Sequence, residues 1–275
     1  MKKLITLLAL LCATLVHAQM PNSTVPLPAD VAAIKKKNVL VVAMTKKDNP
    51  PFFSGQGDAI KGLDVEIAKR IGTVIGVPVE FRRDAESFAE VVEQVRSGSA
   101  DIAVSKLSIT GPRLLVVKFS TPYVKLKQAM IINRLWLSQN SQGREAYEVI
   151  RNFNGRIAFI RNSSYDTFAR VNFPKAYYVP EDSWDIIINK VTSGSIAAGY
   201  RDEFEIKKIS FEKPEAAIST KTITISDSVD NIAVAVNHNS DHLLSIVDYI
   251  IKNEFSNIDT KKLMERYKAE HAVKN

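Results

Sequence analysis

The sequence predicts an α/β protein of two lobes. Three observations carry this reading. Apolar strand-like runs alternate with amphipathic helical segments from Val39 to Leu107, the same alternation restarts at Gly155 and runs to Tyr200, and an extended segment at 124–133 joins the two. Alternating strand and helix is the pattern of a mostly parallel sheet covered by helices. A chain of 275 residues has room for one large domain or two of ordinary size.

Taken in order, a polar lead-in with three prolines (19–28) precedes a short helix at 31–37 and a first strand at 39–44. A polar loop, 45–53, follows. Leu63, Ile67, Ile71 and Val74 then recur at helical spacing, with Gly76 as the stop and 77–81 as the next strand. Ser87 is placed to cap a helix whose apolar face is Phe88, Val91, Val92 and Val95, and 101–107 forms a third strand. After 124–133, the second unit has a helix over 143–153, a strand at 155–160, a polar turn at Asn162, Ser163 and Ser164, and a helix over 165–171. A strand at 176–179, a helix at 182–191 and a strand at 194–200 complete it. Extended runs at 222–225 and 231–236 return the chain, and helices over 240–255 and 259–268 close it.

Composition narrows the function classes. Hydrophobic residues make up 45% and charged residues 24%, as in a soluble globular protein. Lys2 and Lys3 ahead of an apolar run (4–16), with small residues before Gln19, read as a cleavable secretory signal over 1–18 and imply export to the periplasm. The only cysteine, Cys12, lies in that segment, so the mature chain is expected to have no disulfide, thiol nucleophile or cysteine metal site. The net charge of +7 is spread along the chain with no nucleic-acid motif, which disfavours a nucleic-acid partner. His238 and His242 flank Ser240, a helix cap, and read as surface residues; no metal or cofactor is expected.

The segment 101–113 carries the chemistry. An apolar strand turns polar at Ser105 and Ser108, Thr110-Gly-Pro breaks it, and Arg113 follows. A guanidinium beside hydroxyls at a strand end is suited to gripping a carboxylate through two parallel hydrogen bonds. The alternative is a surface turn whose arginine pairs with any nearby acid.

With these motifs in order, the chain resembles the polar amino-acid-binding proteins of bacterial ABC importers, extracytoplasmic solute-binding protein family 3. The resemblance runs from about Val39 to Tyr267. It rests on Pro50-Pro-Phe52, Gly62-Leu-Asp-Val-Glu-Ile-Ala68, Ser97-Gly-Ser-Ala-Asp101, Ser105-Lys-Leu-Ser-Ile-Thr110 with Arg113, Phe119-Ser-Thr-Pro-Tyr123 and Arg201-Asp-Glu203. It implies a type II periplasmic binding-protein fold: two α/β lobes joined by two crossing hinge strands and closing on a free L-amino acid. One lobe would hold 31–124 and 232–275, the other 125–231, after a flexible lead-in at 19–30. A monomer that delivers its amino acid to the membrane permease is expected, without catalysis.

The resemblance also implies roles. Arg113 would grip the ligand α-carboxylate with Ser108 and Ser105, and Asp202 would take the α-ammonium. Ser163 and Ser164, at a helix start with Tyr165, would meet the carboxylate from the second lobe, although ordinary helix capping explains serines there equally. Phe88 would stack on the ligand side chain. Asn49 stands where relatives carry an aromatic residue, and Asp48 is the nearest substitute for an acid that basic-ligand relatives use after the first strand. Lys106 and Arg161 are expected to face the cleft, and two such cations would disfavour a basic ligand. A second reading is a cyclohexadienyl dehydratase-like enzyme on the same scaffold with Glu203 or Glu181 as general acid. A third is a sensory binding protein for a partner receptor.

Overall fold

The computed structural model describes residues 26–272; the expected signal segment and Cys12 lie outside them. The chain opens with α1 (Ala29–Lys37), β1 (Leu40–Thr45), α2 (Leu63–Ile75), β2 (Val79–Ala85), α3 (Phe88–Arg96) and β3 (Ile102–Ala103). A one-turn helix, α4 (Gly111–Leu114), and β4 (Val117–Phe119) lead to the long strand β5 (Val124–Asn133). The middle of the chain forms α5 (Arg134–Ser141), α6 (Ala146–Arg151), β6 (Arg156–Ile160), α7 (Ser164–Asn172), β7 (Tyr177–Glu181), α8 (Trp184–Thr192), β8 (Ala198–Asp202), α9 (Glu203–Glu212) and α10 (Ala216–Ser219). A second long strand, β9 (Thr220–Ile232), returns through β10 (Ala235–Asn237) to α11 (Asp241–Glu254) and α12 (Thr260–Ala272).

Two five-stranded sheets result, in the orders β2-β1-β3-β10-β4 and β7-β6-β8-β5-β9. They are more mixed than the expected mostly parallel sheets. β1 pairs in parallel with β2 and β3, and β6 with β7 and β8, but β10 and β5 run antiparallel to both of their neighbours. The reason is topological. Strands joined through helices stay parallel, whereas the long strands that cross between the lobes return in the opposite sense.

Local sequence accounts for most elements. In α2, Leu63, Ile67, Ala68, Ile71 and Ile75 are buried on one stripe, and Gly76 ends the helix in a left-handed conformation with its N–H on the Gly72 and Thr73 carbonyls. Gly62 before it has φ +124°, and a Cβ there would lie 2.4 Å from the Phe52 carbonyl oxygen, so only glycine fits. Ser87 and Ser183 accept N–H bonds at the starts of α3 and α8.

The expected third strand is short. Only Ile102 and Ala103 join the ladder, because Ser105 offers its hydroxyl, not its backbone, to the Thr45 N–H at 3.1 Å. Residues 104–110 thereby become a loop at the end of the first sheet. β9 runs without a break over thirteen residues, with a bulge that leaves 226–228 outside the pairing to β5.

Candidate functional site

Open α/β sheets bind ligands in the crevice beyond the carboxyl ends of their strands, and the residues that meet here all stand at such ends. The loop after β3 supplies Lys106 and Ser108, β6 ends at Ile160, α7 begins at Ser164, and β8 ends at Asp202. The loop after β3 is fixed to the crossing strand: Ile109 N–H donates to the Asn231 carbonyl at 2.9 Å, and Ala233 N–H to that of Leu107 at 3.0 Å. A cavity of about 30 Å³ lies between the lobes, and its walls include Phe88, Ser108, Ser164, Tyr165, Asp202 and Asp230. Lys106, Ser163, Arg201, Ile160 and Tyr200 complete the lining.

The lobes touch directly across it. Ser108 Oγ and Ser164 Oγ meet at 2.9 Å, and Ser108 Oγ donates to Asp230 Oδ2 at 3.1 Å. A hydroxyl has one proton, so Ser164 is the donor in the serine pair. Tyr165 OH donates to the same Asp230 oxygen at 3.1 Å. Ser163 caps α7, accepting the Tyr165 N–H at 3.3 Å.

Lys106 is held by both charge and aromatic contacts. Its Nζ donates to Asp202 Oδ2 and Glu205 Oε1, each at 2.8 Å, and lies 5.0 Å and 5.4 Å from the ring centres of Phe52 and Phe204. All three charged side chains are buried. Burial opposes ionisation of Glu205, but Arg201, Lys106 and Lys208 together hold its carboxyl well below the usual range. Asp202 gives its other oxygen to the Glu205 N–H at 3.0 Å, capping α9. The Lys106 backbone has φ +47°, and its N–H donates at 2.6 Å to Asp64, which also accepts from Tyr123 OH at 2.8 Å. Burial pushes the Asp64 carboxyl up to about 7, against the pull of those two bonds and of the Lys106 charge.

Arg113 is placed differently. Its Nη1 donates to the Ser108 carbonyl at 2.8 Å and its Cζ stands 6.0 Å from the Phe88 ring centre. Among the described residues no carboxylate forms an ion pair with it. Burial pulls its pKa down to about 10, and the Asp230 charge partly restores it; the guanidinium remains charged at neutral pH.

Ser108, Ser163, Ser164, Tyr165, Phe88, Lys106 and Asp202 stand together on the cavity, and Arg113 lies directly behind Ser108 and Phe88. Ser105 is fully buried and supports the loop from beneath. Arg161 does not face the cavity: its Nε pairs with Asp182 at 3.0 Å and its Nη2 donates to the Pro180 carbonyl at 3.1 Å, on a half-exposed side chain. Asp48 pairs with Arg83 at 2.8 Å, and the Asn49 carbonyl closes a turn with the Phe52 and Phe53 N–H groups. Neither lines the cavity. Glu203 bonds to Lys207 and Thr260, and Glu181 to Lys190, both away from it. The expectation of two free cations in the cleft therefore fails on geometry, since Lys106 is neutralised by Asp202 and Glu205 and Arg161 points elsewhere.

Asp230 escaped the sequence reading. It lies in the polar run Ser226-Asp-Ser-Val-Asp-Asn231, which reads as a turn. Its one distinguishing mark there is an acid two residues before the apolar return strand.

Fold and cleft define a two-lobed solute-binding protein. The model of the bacterial extracellular solute-binding proteins, family 3, matches residues 40–270, and the chain belongs to that family. Among solved structures it is similar to an amino acid ABC transporter substrate-binding protein, AbpA from Streptococcus pneumoniae, bound to L-arginine. The identity is 29%, with 86% of this chain and 98% of that one covered and a TM-score of 0.68. The ancestral amino-acid-binding protein AncCDT-1, a precursor of cyclohexadienyl dehydratase, shares the fold at 21% identity and a TM-score of 0.64, covering 86% of this chain and 98% of its own. A curated relative, the membrane-bound lytic murein transglycosylase F of Saccharophagus degradans, is 25% identical over 158 residues, covering 57% of this chain and 28% of the relative. The chain thus spans about a quarter to a third of the length of the curated relatives it matches.

Proposed function

We propose that this protein captures a free L-amino acid between its lobes, outside the cytoplasm, and presents it to the permease of an ABC importer as a monomer without catalytic activity. The observation that carries the reading is Arg113, a half-buried guanidinium with no carboxylate partner among the described residues, set behind the two serines that join the lobes. Such a cation is stabilised by an anion that brings its own charge, and a ligand α-carboxylate with bidentate geometry fits it. Family membership and the likeness to an amino-acid-binding protein of 29% identity support the same conclusion.

Contacts from both lobes to one ligand favour the closed arrangement, which a permease can distinguish from the open one. The dehydratase reading is disfavoured, because neither Glu203 nor Glu181 stands on the cavity. The test is a thermal-shift screen of the refolded mature protein against the proteinogenic amino acids, ornithine, citrulline and prephenate. A rise in melting temperature with one or a few amino acids supports the reading. A rise with prephenate alone overturns it in favour of the enzyme, and no rise with any compound removes the amino-acid assignment.

A further inference from the structure

Two carboxylates line the cavity, and among the described residues only Asp202 forms an ion pair. Asp202 has its ammonium already: Lys106 Nζ sits on Oδ2 at 2.8 Å, and Oδ1 is taken by the Glu205 N–H at 3.0 Å. Asp230, near the end of β9, is 1% exposed. Its Oδ2 accepts from Ser108 and Tyr165, but its Oδ1 is buried with no hydrogen-bond partner, and no lysine or arginine among the described residues forms an ion pair with it. A buried acceptor left unpaired bears its desolvation cost uncompensated. Asp230 lines the cavity, so the cavity's contents can supply a donor to its carboxylate.

We propose that Asp230, on the second crossing strand, and not Asp202 is the acceptor of the ligand α-ammonium, the Lys106 side chain of the protein itself holding the place on Asp202. The inference rests on the amino-acid reading above and changes the residue that recognises the amino group. It also balances the cleft. Lys106 offsets Asp202, leaving Arg113 and Asp230 as one cation and one anion, which a single zwitterion completes. Displacing Lys106 from Asp202 by a ligand ammonium is the costlier route, because the freed Nζ would remain in a buried pocket with fewer oxygens. The assignment ties selectivity to a crossing strand: β9 pairs with β5 along their length, with Asp230 opposite Leu126. An acid without an α-amino group would leave Asp230 Oδ1 unpaired and bind less well.

The test is calorimetric titration of the full mature chain, wild type and Asp230→Asn. The probes are L-arginine, L-lysine, L-glutamine and L-glutamate beside their des-amino counterparts, δ-guanidinovalerate, ε-aminocaproate, glutaramate and glutarate. The expected result is that wild type prefers the amino acid over its counterpart by at least tenfold, and that Asp230→Asn loses this preference while binding the des-amino acid as wild type does. Unchanged amino-acid affinity in Asp230→Asn, or equal affinity of wild type for both members of a pair, overturns the inference alone. Wild type that binds none of these four and shifts with no amino acid of the thermal screen overturns the amino-acid reading and this inference together. Should Asp230→Asn not fold, a crystal structure of wild type with the tightest-binding amino acid decides: an ammonium within hydrogen-bond distance of Asp230 supports the assignment, and one on Asp202 refutes it.

Discussion

Lys106 and Arg113 stand seven positions apart in the first lobe, one on the loop after β3 and the other in α4, and their surroundings are opposite. Lys106 has two carboxylates at 2.8 Å and two aromatic faces. Arg113 has one backbone carbonyl, one ring and, among the described residues, no ion-pair partner. A buried charge that is fully paired adds little for a ligand to gain, whereas one that lacks its counter-ion is stabilised by whatever supplies it. The first cation therefore holds lobe to lobe, and the second is the one we propose for the ligand carboxylate.

The sharpest way to break this comparison is to remove each cation in turn. Arg113→Ala should weaken amino-acid binding by at least about a hundredfold, the scale of losing one partner of a desolvated charge pair. Its unliganded melting temperature should change little, because no ion pair within the protein is lost. Titration calorimetry and a melting curve check both halves; near-normal affinity would remove Arg113 from the site.

Lys106→Met should do the reverse. Among the described residues, Asp202 loses its only lysine and Glu205 one of three cations, Arg201 and Lys208 staying at 3.6 Å and 3.3 Å. Removing one partner of a buried pair costs about 3–5 kcal/mol when no relief is available. Here relief exists, since lobe separation would hydrate Asp202. The expected outcome is a wider average separation of the lobes without ligand, seen as a larger radius of gyration in solution scattering, with the melting temperature lowered. Unchanged scattering and stability would show that the Lys106 pair does not hold the lobes together.

The asymmetry between acids gives a smaller effect, read by pH. Burial raises Asp230 to about 6, helped by the Asp202 charge, and raises Asp64 to about 7. Both folded values exceed the ordinary carboxylate value of 3.8. The stability these groups contribute is fully present below that value and is lost as pH rises through about 6 and then about 7. From these two groups the unliganded protein should melt at a lower temperature at pH 8 than at pH 5, and Asp230→Asn should flatten the lower part of that slope. Ligand binding should run the other way, weakening below about pH 6 as Asp230 takes a proton instead of an ammonium.

How far the sequence foretold these features follows from the range over which each is determined. The extended segment at 124–133 coincides with β5 because ten residues of strand-forming sequence need no distant information. The capping serine at 87 is equally local for α3. By contrast the sequence reading places no helix at α9, although Asp202 and Glu205 have capping-box spacing; a ligand role for the acid hides its capping role. The Lys106–Asp202 pair spans 96 positions, and no local pattern in either segment announces the other. Asp230 is the same problem in stronger form, since its burial comes from the loop of Ser108 and the helix of Tyr165 closing over it.

Arg161 offers the smallest effect and a test of the comparison's other side. Its neighbour Ile160 ends β6 on the cavity wall, while the arginine itself leans along the second lobe towards Asp182 and the Pro180 carbonyl. Adjacent residues at a strand end point to opposite sides, so one position separates a wall of the site from a solvated surface pair. Half-exposed ion pairs contribute from nothing to about 1 kcal/mol. Arg161→Ala should accordingly leave amino-acid affinity within about twofold of wild type and shift the melting temperature only slightly. A tenfold loss in calorimetry would mean that the side chain turns into the cleft when ligand is bound, and that a second unpaired cation contributes to the site beside Arg113.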